Sequence, residues 1–227
     1  MDEAAEPARK RRRKDADTLA TELLVSGKLL SDADVLSVLS RWTFQKSKNR
    51  QNVIPDGSEF VYSDTLGLTK DRRGTIAVDA YTRDRPSVFR FLCEWLKQRR
   101  PTELALDFPS TSISLNYNYA ARLHRDGNNA GPSLARSFGA FIGGELSYWS
   151  NDDKRTPLEQ LRERDAVRID THTHTCTMHC STAVVGTGWN HLAQETGTAW
   201  CFSHSTHGSE APRSRCHREA SILRLNR

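Results

Sequence analysis

What this chain lacks bounds what it can be. No apolar run approaches the roughly eighteen residues that a membrane-spanning helix requires. The opening residues MDEAAEPARKRRRK are charged and carry no apolar core segment, so a secretory signal is not expected. An intracellular, reducing location follows as the expectation, with no membrane partner. Histidine and cysteine are almost missing before Thr171: His124 and Cys93 stand alone there, and the other seven histidines and four cysteines come later. Cys93 lies among apolar residues and reads as core filler. In the tail, Cys176 and Cys180 with two of His174, His179 and His191 have a spacing that zinc allows. No second cysteine pair follows at finger or ribbon distance, which argues against a zinc module.

What is present is a soluble, globular composition. With 227 residues, 37% hydrophobic and 27% charged, the chain can form one large β-fold or one domain with tails. The net charge of +5 leans basic, partly for a local reason. Arg9 to Lys14 is a run of six cations, which self-repulsion keeps solvated. It reads as a disordered basic arm over residues 1–14, either a nuclear-targeting or polyanion-contacting element or a plain solubilising tail. Nucleic acid would be its partner, held by phosphate contacts that weaken with salt.

Residues 15–52 read as a helical hairpin and linker. One helix is expected from Asp15 to about Val25, with Asp17-Thr18 at its start and Gly27 past its end. The second begins at Ser31-Asp32-Ala33-Asp34 and carries Val35, Leu36, Val38, Leu39 and Trp42 on one side. Gln45 to Gln51 is polar and basic and reads as a flexible loop. Residues 53–170 then form the core fold. Phe60-Val61-Tyr62 and Thr75–Val78 are expected strands joined across a charged turn. Pro86 opens a helix burying Val88, Phe89, Phe91, Leu92, Trp95 and Leu96, which Pro101 stops.

The most informative stretch is SISLNYNYAARLHRDGNNAGPSLARSFGAFIGGELSYW, from Ser112 to Trp149. Its alternation reads as a β-meander, with Gly143-Gly144 supplying a tight hairpin. Residues i and i+2 of an extended chain share a face, so His124 and Asp126 can converge on one ion while Arg125 points away. An unbroken strand would also put Asn116, Asn118 and Arg122 on that face. An imidazole and a carboxylate so spaced are two thirds of the facial triad that holds Fe(II). The blander reading is a half-buried strand histidine bonded to Asp126.

HRDGNNAGPS followed by FGAFIGGELSYW resembles the core of the Fe(II)/2-oxoglutarate-dependent dioxygenases, over roughly Phe60 to Asp170. The Asn-rich turn is most similar to the branch that contains the TET and J-base-binding proteins, which oxidise bases in DNA, and to algal and protist relatives. The resemblance implies a mainly β chain with flanking helices, of α+β class, on a double-stranded β-helix (jelly-roll) core. It implies Fe(II) on His124 and Asp126, and 2-oxoglutarate and oxygen as co-substrates, held partly from Asn116, Asn118 and Arg122. The reaction would hydroxylate a C–H bond of a modified base or a protein side chain.

The resemblance is incomplete. The family's third ligand is a histidine on a later strand, followed by an arginine that pairs with 2-oxoglutarate. His172 lacks the arginine spacing, and His191 lies in a segment without strand character. A non-catalytic binding or scaffolding protein that keeps the fold is therefore the rival expectation. Residues 171–227 read as an irregular tail in which apolar periodicity disappears, leaving the β-helix incomplete at that end and one sheet edge open. A shifted reading frame beginning in the Met178 codon could restore the missing segment: Trp200, Cys201 and Phe202 would give an apolar strand, Thr187 a ligand and Gly197 an arginine. The tail as written is then expected not to belong to the fold, and the chain to be inactive or unstable.

Overall fold

The computed structural model of the protein describes residues 6–70, 73–99, 111–118, 121–125, 133–139, 146–169, 176–178, 183–186 and 200–205. Helix α1 spans Glu6–Val25 and α2 spans Asp32–Arg41. Gly27, at φ 63°, takes the left-handed conformation that stops α1. A capping box starts α2: the Ser31 backbone N–H donates to Asp34 Oδ2 at 2.8 Å, and the Asp34 N–H donates to Ser31 Oγ at 3.2 Å. Replacing Ser31 with Ala should cost about 1 kcal/mol in thermal or urea unfolding. An unchanged midpoint would mean that packing alone sets this boundary.

The basic run is not a disordered arm. Residues 9–14 lie inside α1, which runs without a break across the boundary expected between residues 14 and 15. A helix turns about 100° per residue, so six consecutive cations fan around the axis and only one must face inward. That one is Arg13, which is buried on a stripe with Ala16 and Ala20, while Lys10, Arg11, Arg12 and Lys14 stay exposed. Asp17, expected at the start of this helix, instead caps another. Its Oδ1 accepts from the backbone N–H groups of Ser87 and Val88 at 2.9 and 3.1 Å, at the head of α4, Pro86–Gln98. Between them α3 occupies Ala80–Asp84. Helix α4 buries Val88, Phe91, Leu92 and Trp95 at helical spacing, with Phe89 and Leu96 half-buried beside them.

Eleven strands are described: β1 Lys46–Ser47, β2 Val61–Lys70, β3 Ile76–Val78, β4 Ser112–Tyr117, β5 His124–Arg125, β6 Ser133–Ala135, β7 Leu146–Tyr148, β8 Val167–Ile169, β9 Cys176–Met178, β10 Ala183–Gly186 and β11 Trp200–Ser205. Helix α5, Leu158–Leu161, lies between β7 and β8. One sheet runs β1-β2-β4-β11 with β3 on β2, a second runs β5-β10-β7-β8, and β6 pairs with β9. All pairs are antiparallel, so the protein is an α+β fold. Helices α1, α2 and α4 pack their apolar faces with Leu66, Ile113 and Leu115 of the first sheet.

Two expectations fail here. Among the described residues, the stretch from Ser112 to Trp149 does not form the expected meander, because β4, β5, β6 and β7 do not pair with one another. Each pairs with a later strand: β7 with β8, β6 with β9, β5 with β10 and β4 with β11. Alternation is a local signal, and the choice of partner is not local. The Gly143-Gly144 hairpin lies outside the described residues. Nor is the region after residue 171 irregular throughout. Strands β9, β10 and β11 come from it, and β11 covers the edge of β4 over six register positions, so that edge is not open.

Candidate metal and ligand site

His124 begins β5, opposite Val184 in the register. It is buried, and its Nδ1 stands 2.7 Å from the carbonyl oxygen of Arg122. A carbonyl can only accept, so the ring proton sits on Nδ1 and the metal-ligating nitrogen would be Nε2. The next residue points away, as the strand period requires. Arg125 makes a two-pronged ion pair with Asp152, Nε and Nη2 lying 2.6 and 2.7 Å from its two oxygens, and Nη2 also reaches the Thr156 carbonyl at 2.6 Å. The loop it grips is tied by Asp153, whose carboxylate accepts from the backbone N–H groups of Thr156 and Arg155 and is held down at about 2 by those bonds.

Asp126 lies outside the described residues. The three residues expected beside it do not share one face with His124. Strand β4 ends at Tyr117, and Asn118 follows at φ 49°, a left-handed conformation that breaks the period-2 alternation. Asn116 accepts from Ser63 Oγ at 2.8 Å and from Arg50 Nη1 at 3.4 Å. Arg122 is half exposed: its Nε lies 3.4 Å from Asp56 and its backbone N–H donates to the Val53 carbonyl at 3.2 Å. Strands β4 and β5 belong to different sheets. An asparagine between two tyrosines was the signal for the break, since Asn tolerates the left-handed region.

As a metal-site fit, this is partial. His124 has the hydrogen bonding of a ligating histidine, and Asp126 is suitably spaced in sequence. Among the described residues, no group of three His, Cys, Asp or Glu side chains could hold an ion. His172 and His191, and the proposed zinc partners His174, His179 and Cys180, lie outside those residues. Cys93 packs half-buried against the core cluster, in line with a filler role.

Two features escaped the sequence. The first is a buried charge cluster. Arg13 lies 3.4 Å from Asp64, donates from Nε to the Thr43 carbonyl at 2.8 Å and again from Nη2, and sits over the Tyr81 ring at 4.1 Å and the Trp42 ring at 5.2 Å. Trp42 Nε1 donates to Asp64 at 2.9 Å. Burial pushes Asp64 up to about 6 even though Arg13 pulls the other way. The second is a cleft of about 350 Å3 at the junction of β2 and β4, lined in part by Pro55, Glu59, Phe60, Tyr62, Tyr117 and Asn118.

Among the described residues no helix is long and apolar enough to cross a membrane. No family model and no curated protein matches the chain. A solved structure, that of EvdMO1, is similar with a TM-score of 0.39 and 10% identity, over 84% of this chain and 45% of that one. The chain therefore spans less than half the length of that protein, and a likeness at this level carries no argument for fold or activity.

Proposed function

We propose that strands β4 to β11 form a double-stranded β-helix, and that His124 and Asp126 hold Fe(II) in a 2-oxoglutarate-dependent dioxygenase. The observation that carries this reading is the nested pairing. The chain runs out through β4, β5, β6 and β7 and returns through β8, β9, β10 and β11, each returning strand antiparallel to its outgoing counterpart. A long two-stranded ribbon coiled on itself would give that order, with β4–β11 in the first sheet, β5–β10 and β7–β8 in the second and β6–β9 as a separate pair. His124 stands on the second outgoing strand, with its Nδ1 proton engaged by the chain itself.

In this reading the backbone carbonyl of Arg122 orients the imidazole so that Nε2 is the ligating nitrogen, and Arg125 with Asp152 holds the short strand in place from the other side. Iron bound there with 2-oxoglutarate would supply the oxidising power for hydroxylating a C–H bond, in a modified base or a protein side chain. A second reading, a non-catalytic scaffold, is favoured by one observation: the residue registered opposite His124 on β10 is Val184, within the ligand-free run Ala183–Gly186.

Anaerobic titration of the protein with Fe(II) and 2-oxoglutarate tests both. A weak visible charge-transfer band is expected when metal and co-substrate are present together. His124→Ala and Asp126→Ala should each abolish iron retention with far-ultraviolet circular dichroism unchanged. Iron binding as in the parent protein in both variants sinks the ligand assignment. A folded parent protein that takes up no iron leaves the scaffold.

A further inference from the structure

The cleft beside β2 and β4 is built for a particular kind of ligand. Phe60 and Tyr62 meet nearly at right angles with ring centres 5.3 Å apart, and Tyr62 and Tyr117 repeat this at 6.0 Å, so three aromatic rings stand as successive walls. Tyr117 is braced from behind by Phe44, stacked on it at 5.5 Å. Asn118 and Glu59 add hydrogen-bonding groups to the lining. The volume is at the low end of the roughly 300–1,000 Å3 typical of small-molecule sites.

A cationic strip flanks these rings. Lys46 lies opposite Tyr62 in the β1–β2 register, with its ammonium 4.8 Å from the Phe60 ring centre. Lys48 lies 3.9 Å from Glu59 on the same side. Two cations, Lys46 and Lys48, against the one carboxylate of Glu59 leave a positive surplus. A methylated or quaternary ammonium would suit the rings alone, but the strip would repel it. A planar heterocycle that carries an anion satisfies both parts: rings take its face and cations its charge.

We propose that this cleft holds one nucleobase, with its phosphate on Lys46 and Lys48. The site needs no metal and does not depend on the iron reading.

The test is fluorescence anisotropy of a short labelled oligothymidylate with the full chain, without metal. Salt-sensitive binding is expected. Lys46→Gln with Lys48→Gln should reduce the slope of log K against log salt by about 0.7 for each phosphate that is no longer neutralised. Phe60→Ala should weaken binding roughly tenfold, the size of one missing base–aromatic stack, with circular dichroism unchanged. A strand of equal length lacking bases should bind the parent protein as weakly, which decides the matter even if Phe60→Ala does not fold. Displacement by adenosine monophosphate at comparable affinity would identify a free nucleotide as the occupant, and its failure a strand. Equal affinity for the baseless strand, displacement by choline, or no binding at all overturns the proposal.

Discussion

Asp64→Ala, made alone, is expected to destabilise the protein by about 3–5 kcal/mol, because it leaves the Arg13 guanidinium buried without its counter-charge. Arg13→Met should behave differently, since the carboxyl left behind can take up a proton. Burial already lifts Asp64 to about 6 from an ordinary 3.8. A folded value above the unfolded one means that the group contributes most below about pH 4, and that about 3 kcal/mol of this is lost as the pH rises through 6. Removing Arg13 removes the charge that pulls Asp64 down, so its value should rise further. The deficit of Arg13→Met relative to the parent protein is therefore expected to be largest near pH 8 and to shrink toward pH 5, measured by urea unfolding. Equal deficits at both pH values would show that Asp64 does not titrate in this range. Asp153 acts in a separate window: its lowered value stabilises above about 4 and that contribution is lost only toward 2.

Gly67→Ala is the second large effect expected. Gly67 lies within β2 at φ 93°, and a Cβ built there would come within 2.3 Å of the Thr111 carbonyl oxygen and 3.0 Å of both Phe89 and the Ser112 backbone. That carbonyl accepts from the Leu68 N–H at 2.7 Å, and Gly67 itself accepts from Asp79 at 2.8 Å and donates to Thr82 at 2.7 Å, so the backbone has little room to retreat. Backbone strain and overpacking of about 1–3 kcal/mol each should add to several kcal/mol. Thermal unfolding reads this directly, and a loss below about 1 kcal/mol would mean that the β2–β4 approach is looser than these distances imply.

Parts of this protein were legible residue by residue. The stripe of Val88, Phe91, Leu92 and Trp95 and the cap at Ser31 are local patterns, and the elements formed where those patterns stand. His124 was legible as a strand residue with Arg125 turned the other way, since a two-residue period needs no partner to be known. Arg13 was not: six consecutive cations look alike in sequence, and only the docking of α1 against Trp42, Tyr81 and Asp64 selects one for burial. The break at Asn118 also escaped, because one left-handed residue cancels an alternation that otherwise continues unchanged.

The chain by itself determined where most helices and strands lie and which of their faces are apolar, because those properties depend on neighbours within a few residues. Pairing of β4 with β11, β5 with β10 and β6 with β9 was decided by the tertiary structure alone. So was the assembly of the cleft from Phe60, Tyr62 and Tyr117. An exposed strand edge offers the same N–H and C=O groups to any partner, so only the packed fold, by placing distant segments side by side, selects among them.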